Sequence, residues 1–117
     1  MNDETILYGI ASCDTIRKAK KWLAARELEF NFHDFRQQGL EPELLRKWVQ
    51  ELGWETLLNR RGTTWRKLTP EQQVTIDEES AIKIMLENPA IIKRPVLIKN
   101  NQALVGFDEK SYEQLFG

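Results

Sequence analysis

Apolar and polar positions follow three different rhythms along this chain, and each third predicts a different kind of element. The first third opens with the short apolar run Ile6 to Ile10, closed by Gly9 and the small residues Ala11 and Ser12. A run that brief predicts a buried strand leading into a loop, and the loop delivers Cys13. From Asp14 to about Glu27, Ile16, Ala19, Trp22 and Leu23 recur at helical spacing while Arg17, Lys18, Lys20 and Lys21 fill the opposite face. This predicts an amphipathic helix. Phe30, Phe32 and Phe35 then interleave with Asn31, His33 and Asp34, the near-alternation of a strand running to Gln37, Gln38 and Gly39. Strand, helix, strand in so few residues predicts a right-handed βαβ unit.

The middle third is helical. Pro42 stands at a helix start, Leu44, Leu45, Trp48, Val49 and Leu52 follow at helical spacing, and Gly53 marks the stop. Trp54 to Leu58 and Pro70 to Val74 predict short helical turns. Asp77 to Glu87 predicts a full helix with Asp77 as its cap, Ile76, Ala81, Ile84 and Met85 inward, and Asn88 and Pro89 at its end. Between them Asn59 to Lys67 is polar, basic and aperiodic, which predicts a loop. The last third returns to strands, Pro95 to Ile98 and Ala103 to Gly106, separated by Asn100 and Asn101. Asparagine tolerates the positive φ of a tight hairpin turn. Asp108 then caps a closing helix through Tyr112, Leu115 and Phe116. The order βαβ, helical insert, ββα, with a cysteine after the first strand, predicts an α/β thioredoxin-like plan: a four-stranded mixed sheet flanked by helices. Residues 1–38 and 89–117 would form the core of this single domain and 39–88 the insert.

A chain of 117 residues is long enough for one domain that buries roughly two thirds of its unfolded surface. With one cysteine it can form no internal disulfide. Its acidic start and short apolar stretch do not match a signal peptide, so a reducing cytoplasm is expected. No apolar run approaches the roughly 20 residues of a membrane span. A net charge of −1 supplies no global field toward nucleic acid or anionic lipid, so any anion site must be local. Trp65, Arg66 and Lys67 make one aromatic-and-basic patch, too little to favour a nucleic-acid partner. One histidine and one cysteine provide no cluster for a transition metal. His33 has no acid set by sequence to orient it and is read as structural.

The chemistry therefore centres on Cys13. A helix N-terminus offers free N–H groups and a partial positive charge, both of which favour a thiolate, and Arg17 and Lys18 push the same way. A fall in pKa from about 8.5 to about 6.5 would raise the thiolate share at pH 7 from roughly 3% to roughly 75%. Arg94 and Pro95 are the best lead for a facing group. In thioredoxin-like folds a proline opening a strand lies opposite the reactive cysteine, usually in cis, and an arginine just before it could grip a carboxylate or oxyanion at two points. Arg60 and Arg61 form a second basic point in the loop.

The stretches YGIASCDTIRKAKKWL, NRRGTTWRKL and KRPVLI, in that order and spacing, resemble the arsenate-reductase-like family. That family takes in glutathione-coupled arsenate reductases, the transcription regulator Spx and a reductase branch called YffB. The resemblance spans nearly the whole chain, and the opening together with RPVLI suits the YffB branch. It implies that Cys13 is the reactive cysteine, Arg17 the helix arginine behind it, and Arg94 with Pro95 the arginine and cis-proline facing it. Either Arg60 or Arg61 would be the anion-binding arginine. Ile16 stands where regulator-type members complete a CxxC, so a resolving thiol must come from outside. Gly106 and Phe107 stand where arsenate reductases of the family carry a further arginine. Losing one oxyanion donor of three weakens the case for arsenate itself. The expected activity is a glutathione-dependent thiol reductase forming a mixed disulfide at Cys13, with glutathione as co-substrate and glutaredoxin as a possible partner. Arsenate reduction and Spx-like binding of RNA polymerase are the alternatives.

Overall fold

The computed structural model describes residues 5–11, 13–100 and 102–116. Ser12 and Asn101, expected to close the first strand and complete the hairpin turn, lie outside the described residues. The chain divides into two compact units. One runs up to Gly39 and resumes at Arg94, and the other is Leu40–Lys93. The segment 89–93, expected to belong with the sheet, packs with the helices instead. Asn59 N donates to Ile91 O at 2.8 Å and Lys93 N to Leu57 O at 2.7 Å, around an isolated bridge between Leu58 and Ile92.

In the first unit, β1 (Thr5–Gly9), β2 (Asn31–Asp34), β3 (Val96–Lys99) and β4 (Gln102–Val105) form one mixed sheet in the order β2-β1-β3-β4. β1 is parallel to β2 and antiparallel to β3, and β3 is antiparallel to β4. The register sets Leu7 opposite Leu97. Both are fully buried with Ile16, Ala19, Trp22 and Leu23 of α1 (Asp14–Ala25) and Tyr112 of α8 (Glu109–Phe116). The helical period of α1 thus delivers its apolar stripe to the sheet, while the lysines stay outside. Lys99 pairs with Gln102, and Asn100 between them takes φ 51, the left-handed conformation the turn requires. Asp108 begins α8 by accepting from Ser111 Oγ at 2.8 Å.

The second unit contains α3 (Pro42–Leu52), α4 (Trp54–Leu57), α5 (Thr63–Arg66), α6 (Pro70–Val74), α7 (Glu78–Glu87) and a 3-10 turn at Pro89–Ile91. Leu45, Trp48, Leu57, Leu58, Ala81 and Met85 are among its buried residues. Its starts are local: Thr69 and Asp77 each close a reciprocal capping box with the residue three positions on.

Three boundaries differ from those the pattern predicts. α1 stops at Ala25, two residues early, because Glu27 turns left-handed at φ 57 and Leu28 N bonds back to Leu23 O. The second strand ends at Asp34, and Phe35–Gln38 forms the helical turn α2. The Asn59–Lys67 loop contains α5.

Candidate active site

Gly9 ends β1 where the first turn of α1 crosses it. A Cβ at this position would lie 2.9 Å from Ile16 Cγ1 and closer still to Cδ1, so only glycine lets the helix start this near the sheet. The loop that follows is tied at two points. Cys13 N donates to Ile10 O at 3.0 Å, and Ala11 N donates to Asp34 Oδ2 at 3.3 Å. Asp34 is buried, and its other oxygen accepts from Arg36 N at 2.8 Å, starting α2. One carboxylate therefore joins the segment before Cys13 to the end of the neighbouring strand.

Cys13 is the N-cap of α1, in extended conformation, and its carbonyl accepts from Arg17 N at 3.2 Å. Its side chain is half-buried. Burial pushes the thiol up. The Ile16 N–H, the Arg94 guanidinium and the Thr15 N–H together outweigh that, and the thiol is held below its ordinary value. Two kinds of positive potential meet at the sulfur: unpaired donors of a helix terminus and a fixed cation.

Arg94 comes to the sulfur from the head of β3. The Arg94–Pro95 peptide is cis, Pro95 is buried, and its carbonyl accepts from Gly106 N at 2.8 Å. Arg94 was expected chiefly to hold substrate, yet it also acts on the thiol. Arg17 lies on the first turn of α1 with Nη2 at 3.0 Å from Asp14 Oδ1, both side chains mostly exposed. The acid offsets part of the field Arg17 would project.

Arg60 and Arg61 belong to the helical unit. The Arg60 guanidinium lies 5.7 Å from the Trp54 ring centroid and 5.6 Å from that of Trp65, within cation–π range of both. Arg61 N donates to Asn59 Oδ1 at 3.0 Å. Both arginines and Lys93 line a cleft of about 450 Å³ that also includes Asn59 and Glu55. The pattern reading passed over Lys93 and Trp54; adjacency to Arg94 was the available signal for the first. It also passed over Asp34, whose burial becomes apparent only in the folded sheet. His33 Nε2 donates to Gly39 O at 2.7 Å, and its ring rests 4.9 Å from that of Tyr8. Among the described residues no group of three or more His, Cys, Asp or Glu could hold a metal ion, and no helix is long and apolar enough to cross a membrane.

A four-stranded mixed sheet, a cysteine capping the helix after its first strand and a cis-proline opening its third place the chain in the thioredoxin-like fold class. Within that class it belongs to the ArsC family, whose profile matches residues 8–115. Its structure resembles that of the YffB protein, with 45% identity and a TM-score of 0.93 over 97% of this chain and 99% of that one. It also resembles an arsenate reductase (ArsC) related protein from Brucella melitensis, with 41% identity and a TM-score of 0.79 over 97% and 94% of the two chains. The regulatory protein MgsR of Bacillus subtilis is 30% identical over 113 residues, 92% of this chain and 86% of MgsR. The global transcriptional regulator Spx of Streptococcus agalactiae is 29% identical over 108 residues, 88% of this chain and 76% of Spx, so arsenate-reductase-like proteins and Spx-type regulators are both relatives.

Proposed function

We propose that this protein is a cytoplasmic, YffB-type thiol reductase that uses Cys13 as its single nucleophile and glutathione as co-substrate. The observation that carries the reading is the half-buried Cys13 thiol, held below its ordinary value by two helix N–H groups and Arg94. The thiolate attacks a disulfide joining substrate and glutathione. That S–S bond breaks, the substrate sulfur leaves and takes a proton from water, and Cys13 stays joined to glutathione. A second glutathione thiolate attacks this mixed disulfide and leaves as oxidised glutathione, returning the Cys13 thiolate. Each turnover consumes one free glutathione thiol: the substrate–glutathione disulfide and one reduced glutathione become the free substrate thiol and oxidised glutathione. Arg94 stabilises Cys13 as attacking and leaving thiolate, and Arg17 adds to the positive end of α1. Pro95 presents backbone to the tripeptide, and the family resemblance makes Arg60 or Arg61 the candidate anion-binding arginine. Glutaredoxin would serve where a protein thiol resolves the adduct.

Arsenate reduction is a weaker reading, because Phe107 packs its apolar ring 4.9 Å from that of Tyr112 in the neighbourhood where arsenate reductases of the family carry a cation. Binding of RNA polymerase in the manner of Spx draws support from the likeness to Spx itself. It needs no thiol, so it survives Cys13→Ser. Incubation with oxidised glutathione followed by intact-mass and peptide mass spectrometry tests the reading: a single glutathione adduct on Cys13, released by reduced glutathione, is expected. Folded protein that takes no adduct overturns it.

A further inference from the structure

Two adjoining hollows open along α1, beyond its first turn. One, of about 340 Å³, is lined by Lys18, Lys21, Trp22, Arg26, Phe107 and Glu109 among others. The other, of about 480 Å³, shares Trp22 and Arg26 and extends to Phe116. Their floor is aromatic and braced from below, since Trp22 and Phe107 both meet Tyr112 edge-on, at 5.4 and 4.9 Å between centroids. Arg26 stacks 3.9 Å over the Trp22 ring and is engaged with Glu113 at 3.3 Å. Lys18 and Lys21 are exposed, and among the described residues neither makes an ion pair. Trp22 is only 5% exposed, so the half-buried Phe107 offers the more accessible apolar contact.

We infer that this groove docks an acidic peptide segment carrying one bulky apolar side chain. The apolar side chain lies against Phe107 and the exposed edge of Trp22, and flanking carboxylates meet Lys18 and Lys21. Glu109 on the opposite edge repels carboxylates, which orients the segment toward α1. Charge separates this occupant from nucleic acid. Two uncommitted lysines beside a glutamate, on a chain of net charge −1, are far short of the roughly 6–10 phosphate contacts a nucleic-acid surface uses. The groove needs no chemistry at Cys13, so it stands or falls apart from the reductase reading.

The test is an NMR titration of isotopically labelled protein, at low salt, with a capped pentapeptide of phenylalanine flanked by two acidic residues on each side. Saturable shifts centred on the amides of Lys18, Lys21 and Phe107 are expected. Lys18→Glu with Lys21→Glu should weaken binding about tenfold or more. Replacing the peptide's phenylalanine by alanine should also weaken it about tenfold or more. Both lysines are exposed, so the variant's undisturbed spectrum serves as its folding control. No saturable shift up to about 5 mM peptide, a bound state too weak for a built site, overturns the inference. So does binding indifferent to the lysines or to the phenylalanine. A short RNA or anionic vesicles moving these resonances when the peptide does not would overturn it in favour of those partners.

Discussion

The sheet unit is closed by pairings between distant parts of the chain, Leu7 opposite Leu97 at its centre. The helical unit is one continuous stretch, Leu40–Lys93, of short helices with their own start and stop signals. The two also treat their arginines differently. Arg94 is half-buried and acts on a sulfur, whereas Arg60 and Arg61 are exposed at the edge of an open cleft. Where long-range contacts converge, a charge can be held in place and made to perturb a neighbour's pKa; where elements are local, charges stay solvated and available to a ligand.

The strongest way to break this contrast is to cut both cores. Leu97→Ala in the sheet and Leu45→Ala in the helical unit remove side chains that are fully buried, and each should cost about 2–5 kcal/mol. Urea unfolding followed by tryptophan fluorescence and by far-ultraviolet circular dichroism measures it. If the units are cooperative, each variant lowers a single shared midpoint; separate transitions would sharpen the contrast into independent stabilities. Next in size is Gly9→Ala, which must displace Ile16 and should cost about 1–3 kcal/mol. Calorimetry should show a lower Tm, with the alkylation rate of Cys13 altered as α1 shifts.

Arg94→Ala addresses the thiol. A group whose folded pKa lies below its unfolded value gives stability that is complete above the unfolded pKa and is lost as pH falls through the folded one. For Cys13 that places the thiolate's contribution on the alkaline side, with reactivity fading as pH drops through the folded pKa. Iodoacetamide rates against pH should show a midpoint below that of a free thiol. Removal of Arg94 should move it upward, slowing alkylation at neutral pH about tenfold for each unit moved. A midpoint unchanged by Arg94→Ala would leave the helix N–H groups as the whole cause. The smallest effect belongs to Arg60→Ala, which removes two cation–π contacts at an exposed site. It should cost about 0.5–1 kcal/mol in thermal denaturation while leaving the Cys13 pH profile in place.

Much of this architecture is written in local sequence. The period of Ile16, Ala19, Trp22 and Leu23 defines α1, Asp77 and Asp108 announce helix starts, and the Asn100 turn announces the hairpin. These signals act over one or two turns, so no distant contact is needed to interpret them. The position of Cys13 at a helix start is local in the same way. The end of β2 is different. The alternation of Phe30, Phe32 and Phe35 suits a continuing strand as well as a helical turn. What selects the turn is Asp34, buried and bonded at once to Arg36 N and, across the sheet, to Ala11 N. The meeting of Arg94 with Cys13 is likewise invisible along the chain, because β1 must first pair with β3. Electrostatic strength depends on distance and on exclusion of water, and neither exists until strands far apart in sequence have come together.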